Sequence, residues 1–432
     1  MTRLTLFAVV LLLAVALGHS PVAADQAATP PPSIFLPLHE TGADWAAGEY
    51  TVSIALGDID GDGRDEVAVA RYATTGARVF LLDDAAAGFA LMTTFGDGWG
   101  VAAWPTSVAF GNLDDDPAEE LAVARVSPVN ERVQVFDDAA AGFGVLHNIG
   151  KEWAVGVHAV AVAFGDVDGD GRDELGLITN ATTGDRVFIH DDAPAVFAPL
   201  WAYGADAWGA AAVATGIAFG DIDGDGTDEV AFSRNHDSNA RFFVHDGAPD
   251  FGNLHSGGES WGPGAYATGV AFGNVDGDPA EELGVARKAS LNERAYVFDD
   301  HASGYALLRK FGESWAANAW ATAIAFGDVD GDGREEIGLS RVATVNPRVF
   351  VYDDGTPGGG SPAFNVLWGG GDVWPGQDYA TAVAFGEVNP VTGAELAFGR
   401  FAAEGPRAYV LQRGWTALLP HVNDSTEAVP EG

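Results

Sequence analysis

The chain has 432 residues, of which 47% are hydrophobic, so it is long and apolar enough to bury a large core. Its 62 acidic and 22 basic side chains give a formal charge of −40, which argues against binding to nucleic acid or to anionic membrane surfaces. The absence of cysteine excludes a disulfide framework and a lipid-attachment thiol. This composition suits a protein that binds cations.

The N-terminus has the pattern of a secretory signal. Arg3 supplies a positive start, residues 4–17 are mostly apolar, and Val22-Ala23-Ala24 resembles a cleavage site. We predict a signal peptide over residues 1–24 and a proline-rich linker over residues 25–33. The apolar run is short for a membrane span and no stop-transfer segment follows it. We therefore expect a secreted, extracellular protein without membrane insertion.

The rest of the chain is built from seven copies of one unit, each marked by an acidic loop. The loops begin at Asp58, Asn112, Asp166, Asp221, Asn274, Asp328 and Glu387, at intervals of 53 to 59 residues. A regular period in a unit too small to bury its own core is typical of repeat architectures. We number the units 1 to 7 in this order.

Each unit contains four short strands, which we call A to D. In unit 2 they are predicted over Ser107–Gly111, Glu120–Arg125, Arg132–Asp137 and Phe143–Leu146, separated by turn residues. Apolar residues do not recur at helical spacing over three turns. The sequence therefore predicts an all-β protein, a seven-bladed β-propeller of four-stranded antiparallel blades over residues 34–419, with a flexible tail over residues 420–432. A β-solenoid is the rival, but its turns are usually shorter.

The strand that closes the ring is left open by the sequence. Strand D is predicted to begin at an aromatic residue in six units, namely at Phe89, Phe143, Phe197, Phe251, Tyr305 and Phe364. Two further copies of the pattern lie near the ends, at Phe35–Leu38 and Trp415–Leu418. Seven blades need seven such strands, so one copy is surplus and either end can complete the last blade.

The acidic loops have the spacing of calcium-binding turns. Oxygen side chains stand at loop positions one, three, five and nine, and position seven can add a backbone carbonyl. The four strong loops comprise Asp58, Asp60, Asp62, Arg64 and Glu66; Asp166, Asp168, Asp170, Arg172 and Glu174; Asp221, Asp223, Asp225, Thr227 and Glu229; and Asp328, Asp330, Asp332, Arg334 and Glu336. We predict Ca²⁺ at these four sites, where the crowded carboxylates would otherwise repel one another.

Three loops depart from this pattern. Two have proline in place of the glycine at position six and must bend differently. Their candidate ligands are Asn112, Asp114, Asp116 and Glu120, and Asn274, Asp276, Asp278 and Glu282, and we treat both as weaker calcium candidates. The seventh loop, from Glu387, has lost its fifth-position carboxylate, and we expect no ion there.

Runs such as Ala163-Phe164-Gly165-Asp166-Val167-Asp168-Gly169-Asp170-Gly171 resemble the FG-GAP repeat of integrin α-chains and VCBS proteins. The resemblance covers residues 35–419 and implies a propeller whose A–B loops hold calcium through the residues named above. The chain is also similar, in size and tryptophan content, to a fungal seven-bladed propeller lectin. Unlike an integrin chain, it shows no membrane span and no leg domains.

The face opposite the acidic loops carries arginine and aromatic residues. Arginines at the end of strand B and the start of strand C are predicted to form ion pairs within each blade, and a tryptophan repeated in every unit is predicted to pack between blades. A second, variable aromatic slot lies six residues before the strand-A phenylalanine. The candidate ligand contacts in this slot are Tyr50, Trp104, His158, Tyr266, Trp320 and Tyr379. Packing within the blades is the alternative role.

The combined pattern predicts a calcium-binding recognition module that binds a glycan or a cell-surface protein, and we expect a monomer. A non-lectin extracellular scaffold or adhesion protein with purely structural calcium is the alternative. A propeller polysaccharide lyase or hydrolase ranks third. We predict no enzymatic activity and no catalytic residues, because the Gly258–Gly262 match to a nucleophile elbow arises from the repeat itself.

Overall fold

In the computed structural model the protein consists of seven antiparallel sheets of four strands each. The structure describes residues 35–414 except 115, 129, 193–196, 206–207, 210–211, 238, 346, 355–363 and 391–392. The expected signal peptide, linker and tail lie outside the described residues. In the described part of the chain, no helix has the length and apolarity needed to cross a membrane.

The strands follow the predicted A-to-D order within each blade. Strands A are β2 (Tyr50–Gly57), β6 (Trp104–Gly111), β10 (Ala159–Gly165), β14 (Val213–Gly220), β18 (Tyr266–Gly273), β22 (Trp320–Gly327) and β26 (Tyr379–Gly386). Strands B are β3 (Glu66–Tyr72), β7 (Glu120–Val126), β11 (Glu174–Thr179), β15 (Glu229–Asn235), β19 (Glu282–Lys288), β23 (Glu336–Val342) and β27 (Glu395–Phe401).

The outer two strands of each blade are shorter. Strands C are β4 (Val79–Leu82), β8 (Val133–Phe136), β12 (Val187–His190), β16 (Phe242–His245), β20 (Ala295–Phe298), β24 (Val349–Tyr352) and β28 (Ala408–Arg413). Strands D are β5 (Leu91–Phe95), β9 (Val145–Ile149), β13 (Pro199–Tyr203), β17 (Asn253–Gly257), β21 (Leu307–Phe311), β25 (Val366–Gly370) and, for blade 7, β1 (Phe35–Thr41).

The N-terminal copy of the fourth strand completes the last blade. The strand order in blade 7 is β1-β28-β27-β26, and Phe35 pairs with Arg413. The other copy, Trp415–Leu418, lies outside the described residues. The predicted seven-bladed propeller is confirmed, and its ring is closed by joining the two ends of the chain within one sheet.

Neighbouring blades are tied together in a complete ring. Each strand A contacts strand A of the next blade, and β2 of blade 1 contacts β26 of blade 7. In every blade the amide at loop position eight donates to the position-one carbonyl of the preceding loop. Glu119 N donates to Asp58 O at 2.8 Å, and Asp65 N closes the ring on Glu387 O at 3.0 Å.

Close approach between blades explains the Phe-Gly pair at the end of strand A. A Cβ atom on Gly220 would lie 2.0 Å from Glu281 Oε2 and 2.4 Å from Phe272 Cβ, both in the next blade. The phenylalanine of one blade therefore packs over the glycine of the preceding blade, and only glycine leaves the room. Each strand B, lying between two such layers, is almost wholly buried.

Two predicted strand starts shift by more than one residue in the structure. Strand A of blade 2 begins at Trp104 rather than Ser107, because a register shift between Pro105 and Ser107 extends the pairing. Strand D begins at Val145 rather than Phe143, since Phe143 has φ 59° and belongs to the C–D turn. The six aromatic residues taken as strand starts all share this positive φ and lie in that turn.

Candidate functional site

The acidic loop of blade 1 is held in shape by its first carboxylate. Asp58 Oδ1 accepts hydrogen bonds from the amides of Gly61 and Asp62 at 2.8 and 3.0 Å, and Oδ2 accepts from Gly63 at 2.8 Å. Gly61 and Gly63 have φ of 74° and 87°, conformations that favour glycine. The same three bonds recur around Asp166, Asp221 and Asp328.

The glutamate at loop position nine is buried with one oxygen unpartnered. Glu66 has no exposed surface, and its Oε2 accepts a hydrogen bond from Ile59 N at 3.0 Å. Its other oxygen, Oε1, is buried without a hydrogen-bond donor. The same unpartnered Oε1 occurs in Glu66, Glu120, Glu174, Glu229, Glu282 and Glu336. Leaving a buried acceptor without a partner is costly, so this oxygen is suited to a ligand that supplies positive charge.

Burial changes the ionisation of these glutamates in the ion-free loops. Desolvation, with a smaller contribution from the charge of Asp60, raises the pKa of Glu66 to about 9. Burial likewise raises the pKa of Glu120, Glu174, Glu229, Glu282 and Glu336 to about 8. Each carboxyl is therefore poised to stay protonated at neutral pH unless a cation replaces the proton.

Carboxylates converge around this glutamate from two turns. In blade 1, ligand oxygens of Asp58, Asp60 and Asp62 lie within 4.8 Å of one another, and so do those of Asp60, Glu66 and Asp83. Asp83 comes from the C–D turn, outside the acidic loop, and was missed in the sequence. The missed signal is that an aspartate directly follows the apolar run of strand C in six blades and not in the seventh.

The two proline loops reach the same arrangement by another route. Proline at position six has no N–H, so the bond that Gly63 donates to Asp58 in blade 1 cannot form there. Instead the position-one residue is asparagine, and Asn112 Nδ2 donates to Asp116 O at 2.6 Å. The glutamate below is unchanged, with Glu120 Oε2 accepting from Leu113 N at 2.6 Å. The buried half of the site is thus retained in both proline loops.

The seventh loop differs at the glutamate itself. Asn389 Nδ2 donates to Glu395 Oε1 at 2.6 Å, while Val388 N donates to Oε2 at 3.1 Å. Both oxygens of Glu395 are therefore satisfied by the protein. Burial still raises the pKa of Glu395, to about 7.

Position-seven side chains turn back onto acidic neighbours. Arg64 pairs with Asp62 and Asp84, and Arg334 contacts Asp332 and Asp354 at 2.9 and 2.7 Å. In blade 4, Thr227 Oγ1 donates to Asp225 Oδ1 at 2.6 Å. The side chains at this position neutralise or bond loop carboxylates, leaving the backbone carbonyl as the group that could face an ion.

The arginines on the opposite face are packing residues more than ion-pair partners. Those ending strand B lie over the repeated tryptophan, as Arg125 does at 4.5 Å from the Trp99 ring and Arg341 from the Trp315 ring. Those opening strand C donate mainly to backbone carbonyls, for example Arg186 Nη1 to Gly204 O at 2.7 Å. The predicted ion pairs occur in only some described blades, as between Arg71 and Glu49.

The variable aromatic slot lies at the N-terminal end of strand A, so its members gather around the axis at the end opposite the acidic loops. We call this end the axial mouth. His158 lies one residue before β10. Each of the other members pairs with the last residue of strand B, as Tyr50 does with Tyr72 and Tyr379 with Phe401. Tyr72 and Phe401 were not identified in the sequence, because register had to be known before they could be placed beside the slot.

Rings of three blades form a continuous arc at the axial mouth. Successive ring centroids in the order Tyr379, Phe401, Tyr50, Tyr72 and Trp104 are 4.7, 4.8, 5.1 and 5.4 Å apart. We call these five residues the aromatic arc. All are partly exposed. Burial raises the pKa of Tyr50 to about 12, so its hydroxyl stays a neutral hydrogen-bonding group.

The rest of the axial mouth is more polar. Lys288 lies 5.3 Å from the Tyr266 ring and 4.8 Å from the Trp320 ring. His158 is deeper than the other slot residues, at 8% exposed, and burial lowers its pKa to about 4. The His158 imidazole is therefore neutral at neutral pH, and the His158 backbone N–H donates to Asn180 Oδ1 at 2.8 Å. The mouth is therefore asymmetric, with rings on one side and mixed groups on the other.

A separate cleft of about 390 Å³ opens between blades 4 and 5. His255, Trp261, Glu293 and Lys310 are among its lining residues, and Lys310 Nζ donates to Glu293 Oε1 at 2.9 Å. Strand D of blade 4 ends at Gly257, where a Cβ atom would lie 2.3 Å from Phe242 Cζ. The Phe242 ring also lines the cleft.

No protein-family model matches the chain, and no curated protein matches it. The chain is similar in structure to the Dos1 propeller, with a TM-score of 0.50 and 13% identity over 81% of this chain and 75% of that one. It is also similar to an Agrocybe aegerita lectin described as recognising non-reducing terminal N-acetylglucosamine, with a TM-score of 0.45 and 13% identity over 74% and 82% of the two chains. A Bacillus licheniformis rhamnogalacturonan lyase gives a TM-score of 0.47 and 14% identity over 88% and 76%. At these identities the likeness is one of fold.

Proposed function

We propose that the protein is an exported, calcium-stabilised propeller that recognises a glycan at the axial mouth. The proposal includes membership of the FG-GAP repeat family, which rests on the loop motif. The observation that carries recognition is the clustering of partly exposed rings around the axis. Aromatic rings beside hydrogen-bonding groups are the usual composition of sites that bind sugars.

Calcium in this proposal is held by the A–B loops of blades 1 to 6. Oxygen ligands from carboxylates and carbonyls suit a hard cation, and the number of ligands in a flexible loop favours Ca²⁺ over Mg²⁺. The unpartnered glutamate oxygens support an ion in the proline loops as well as in the four strong loops. The ion supplies charge compensation to the buried carboxylates, and its role is structural. At ten times its dissociation constant, each ion would add about 1.4 kcal/mol to the free energy of unfolding.

Within the axial mouth, Trp104 and Trp320 are the preferred sugar-stacking residues. Their strand-B partners are Val126 and Val342, whereas Tyr50 and Tyr379 stack on aromatic partners. A valine beside an indole leaves more of the ring surface available to a ligand than a stacked phenol does. Neighbouring polar groups, including Asn180 and Asn235, would bond sugar hydroxyls.

A glycan array in calcium tests this proposal. Wild-type protein is expected to bind a restricted set of glycans, and Trp104→Ala or Trp320→Ala should reduce binding at least tenfold without lowering the melting temperature by more than a few degrees. Lys310→Ala, in the cleft between blades 4 and 5, is the control and should bind normally. Loss of binding in the control alone would move the site to that cleft.

A scaffold or adhesion protein that binds another protein is the second candidate. Its support is the same aromatic mouth, since clustered rings are equally common at protein interfaces. This candidate would be favoured if the protein bound no glycan on any array but captured a cell-surface protein, and if Trp104→Ala abolished that capture. A polysaccharide lyase or hydrolase is the third candidate, and product release from a bound polysaccharide would favour it over both.

A further inference from the structure

An aspartate directly after strand C is present wherever the acidic loop retains its carboxylates. It is Asp83, Asp137, Asp191, Asp246, Asp299 and Asp353 in blades 1 to 6. In blade 7 the same position is Gln412, and that blade also has the degraded loop in which Asn389 satisfies Glu395. The two features are therefore present together in six blades and absent together in one.

The fold brings this aspartate to the buried glutamate of its own blade. Ligand oxygens of Asp83 lie within 4.8 Å of those of Asp60 and Glu66. In blade 2 the same is true of Asp137 with Asp114 and Glu120. Because strand C is hydrogen-bonded to strand B, with Leu82 opposite Val67, the residue that follows strand C is carried next to the residue that begins strand B.

The electrostatic consequences recur around the ring. In blade 3, ligand oxygens of Glu174, Asp191 and Asp192 lie within 4.8 Å of one another. Without a cation between them, the carboxylates of the loop and of the C–D turn would repel one another.

The second, independent sign of a ligand is the unpartnered oxygen. Glu66 is completely buried, one oxygen is held by Ile59 N, and the other has no donor. A buried carboxylate with one free oxygen facing other carboxylates is the expected arrangement when a cation is to fill the centre.

We propose that Asp83, Asp137, Asp191, Asp246, Asp299 and Asp353 are direct ligands of the cation held by the acidic loop of the same blade. The inference rests on the proposed calcium function and extends it, because the ion would join two separate turns rather than close one loop. Arg64 already pairs with Asp62 in blade 1. Because Arg64 partly neutralises Asp62, Asp83 would supply the ion with a negative charge that Asp62 no longer offers in full.

This position would let the ion brace the interface between blades. The C–D turn of one blade donates to the acidic loop of the preceding blade, with Ala139 N to Ile59 O at 3.0 Å and Ala248 N to Val167 O at 2.7 Å. An ion that fixes the C–D turn in blade 2 therefore also fixes the contact between blades 1 and 2. A loop-only ion would stabilise each blade separately.

The test compares a triple variant with a charge-matched control. The test variant is Asp83→Asn, Asp137→Asn and Asp299→Asn. The control is Asp97→Asn, Glu152→Gln and Glu313→Gln, which removes three exposed carboxylates from the D–A loops on the opposite face. Melting temperature is measured in calcium and in chelator, and bound calcium per chain is measured by atomic emission after equilibrium dialysis.

In calcium, the test variant should melt well below the wild-type protein and the control. In chelator it should melt at or above the wild-type temperature, because like charges around the glutamates have been removed. The altered sites should bind calcium about tenfold more weakly. At a free calcium concentration near the wild-type dissociation constant, this reduces the bound ions from about three to about two per chain.

Equal destabilisation in calcium and in chelator would show that the aspartates are merely structural and would overturn the inference. So would calcium binding equal to that of the control. Failure of the broader calcium proposal is recognised separately, because the wild-type chain itself would then bind no ion and melt alike with and without chelator.

Discussion

Blades 1 to 6 differ from blade 7 in how the buried glutamate at loop position nine is partnered. In blades 1 to 6 a buried glutamate has one unpartnered oxygen facing carboxylates from two turns, whereas in blade 7 the amide of Asn389 takes the place of that missing partner. The backbone frame is common to all seven, including the amide of the position-two residue that binds the glutamate. An asparagine within the chain thus does in blade 7 what a bound ion would do for the glutamates of the other six blades under the proposed function.

Removal of calcium should lower the stability of the protein more than any substitution below, because it acts on blades 1 to 6 together. Six ions, each contributing about 1.4 kcal/mol at ten times the dissociation constant, amount to about 8 kcal/mol, which is comparable to the whole stability of many domains. We expect chelator to lower the melting temperature by many degrees and magnesium to restore little of it. If calorimetry gave the same melting temperature with and without chelator, calcium would not stabilise this protein.

The pH dependence of stability should differ between calcium and chelator. In chelator the folded glutamates of blades 1 to 6 have pKa values raised to about 8 or 9, above the unfolded value of 4.5, so the folded state holds more protons. Stability in chelator should therefore fall as pH rises from about 5 to 9. Calcium competes with these protons, so the gap between the two melting temperatures should widen over the same range. A constant gap would contradict this linkage.

Asn389→Ala should destabilise blade 7 without involving calcium. It leaves Glu395 Oε1 buried without its donor, at a cost of about 1–3 kcal/mol. Urea unfolding should show the same loss of free energy in calcium and in chelator. A loss confined to one condition would mean that the seventh loop also binds an ion.

The smallest expected effect comes from replacing one position-nine glutamate by glutamine, once in a blade with an unpartnered glutamate oxygen and once in blade 7. Glu282→Gln removes a charged ligand in blade 5 and should cost about 1.4 kcal/mol in calcium. In chelator it should cost little, because burial raises the pKa of Glu282 to about 8 and its carboxyl is already largely neutral at pH 7.

Glu395→Gln in blade 7 is the matched control for this substitution. It should change the free energy of unfolding by the same amount in calcium and in chelator. If both variants responded to calcium alike, the distinction between the proline loop of blade 5 and the degraded loop of blade 7 would be lost.

The sequence determined the features that depend on neighbouring residues in the chain. Strand order, seven blades and the bend of the loop at Gly61 and Gly63 follow from local patterns repeated at a fixed period. The resulting fold was confirmed, and the A–B loops lie where the repeat predicted them. Repetition made this possible, because seven noisy copies of one pattern indicate a structure more firmly than one copy does.

Tertiary structure decided what depends on register and on contacts between distant strands. It chose β1 rather than the C-terminal copy to complete blade 7, brought Asp83 to Glu66, and placed Tyr72 beside Tyr50. It also gave most of the arginines carbonyl and ring partners in place of the expected carboxylates. Local spacing specifies which residues form a strand or a turn, but the partner of a side chain is set by how strands align and how blades pack, and that information is not contained in any single repeat.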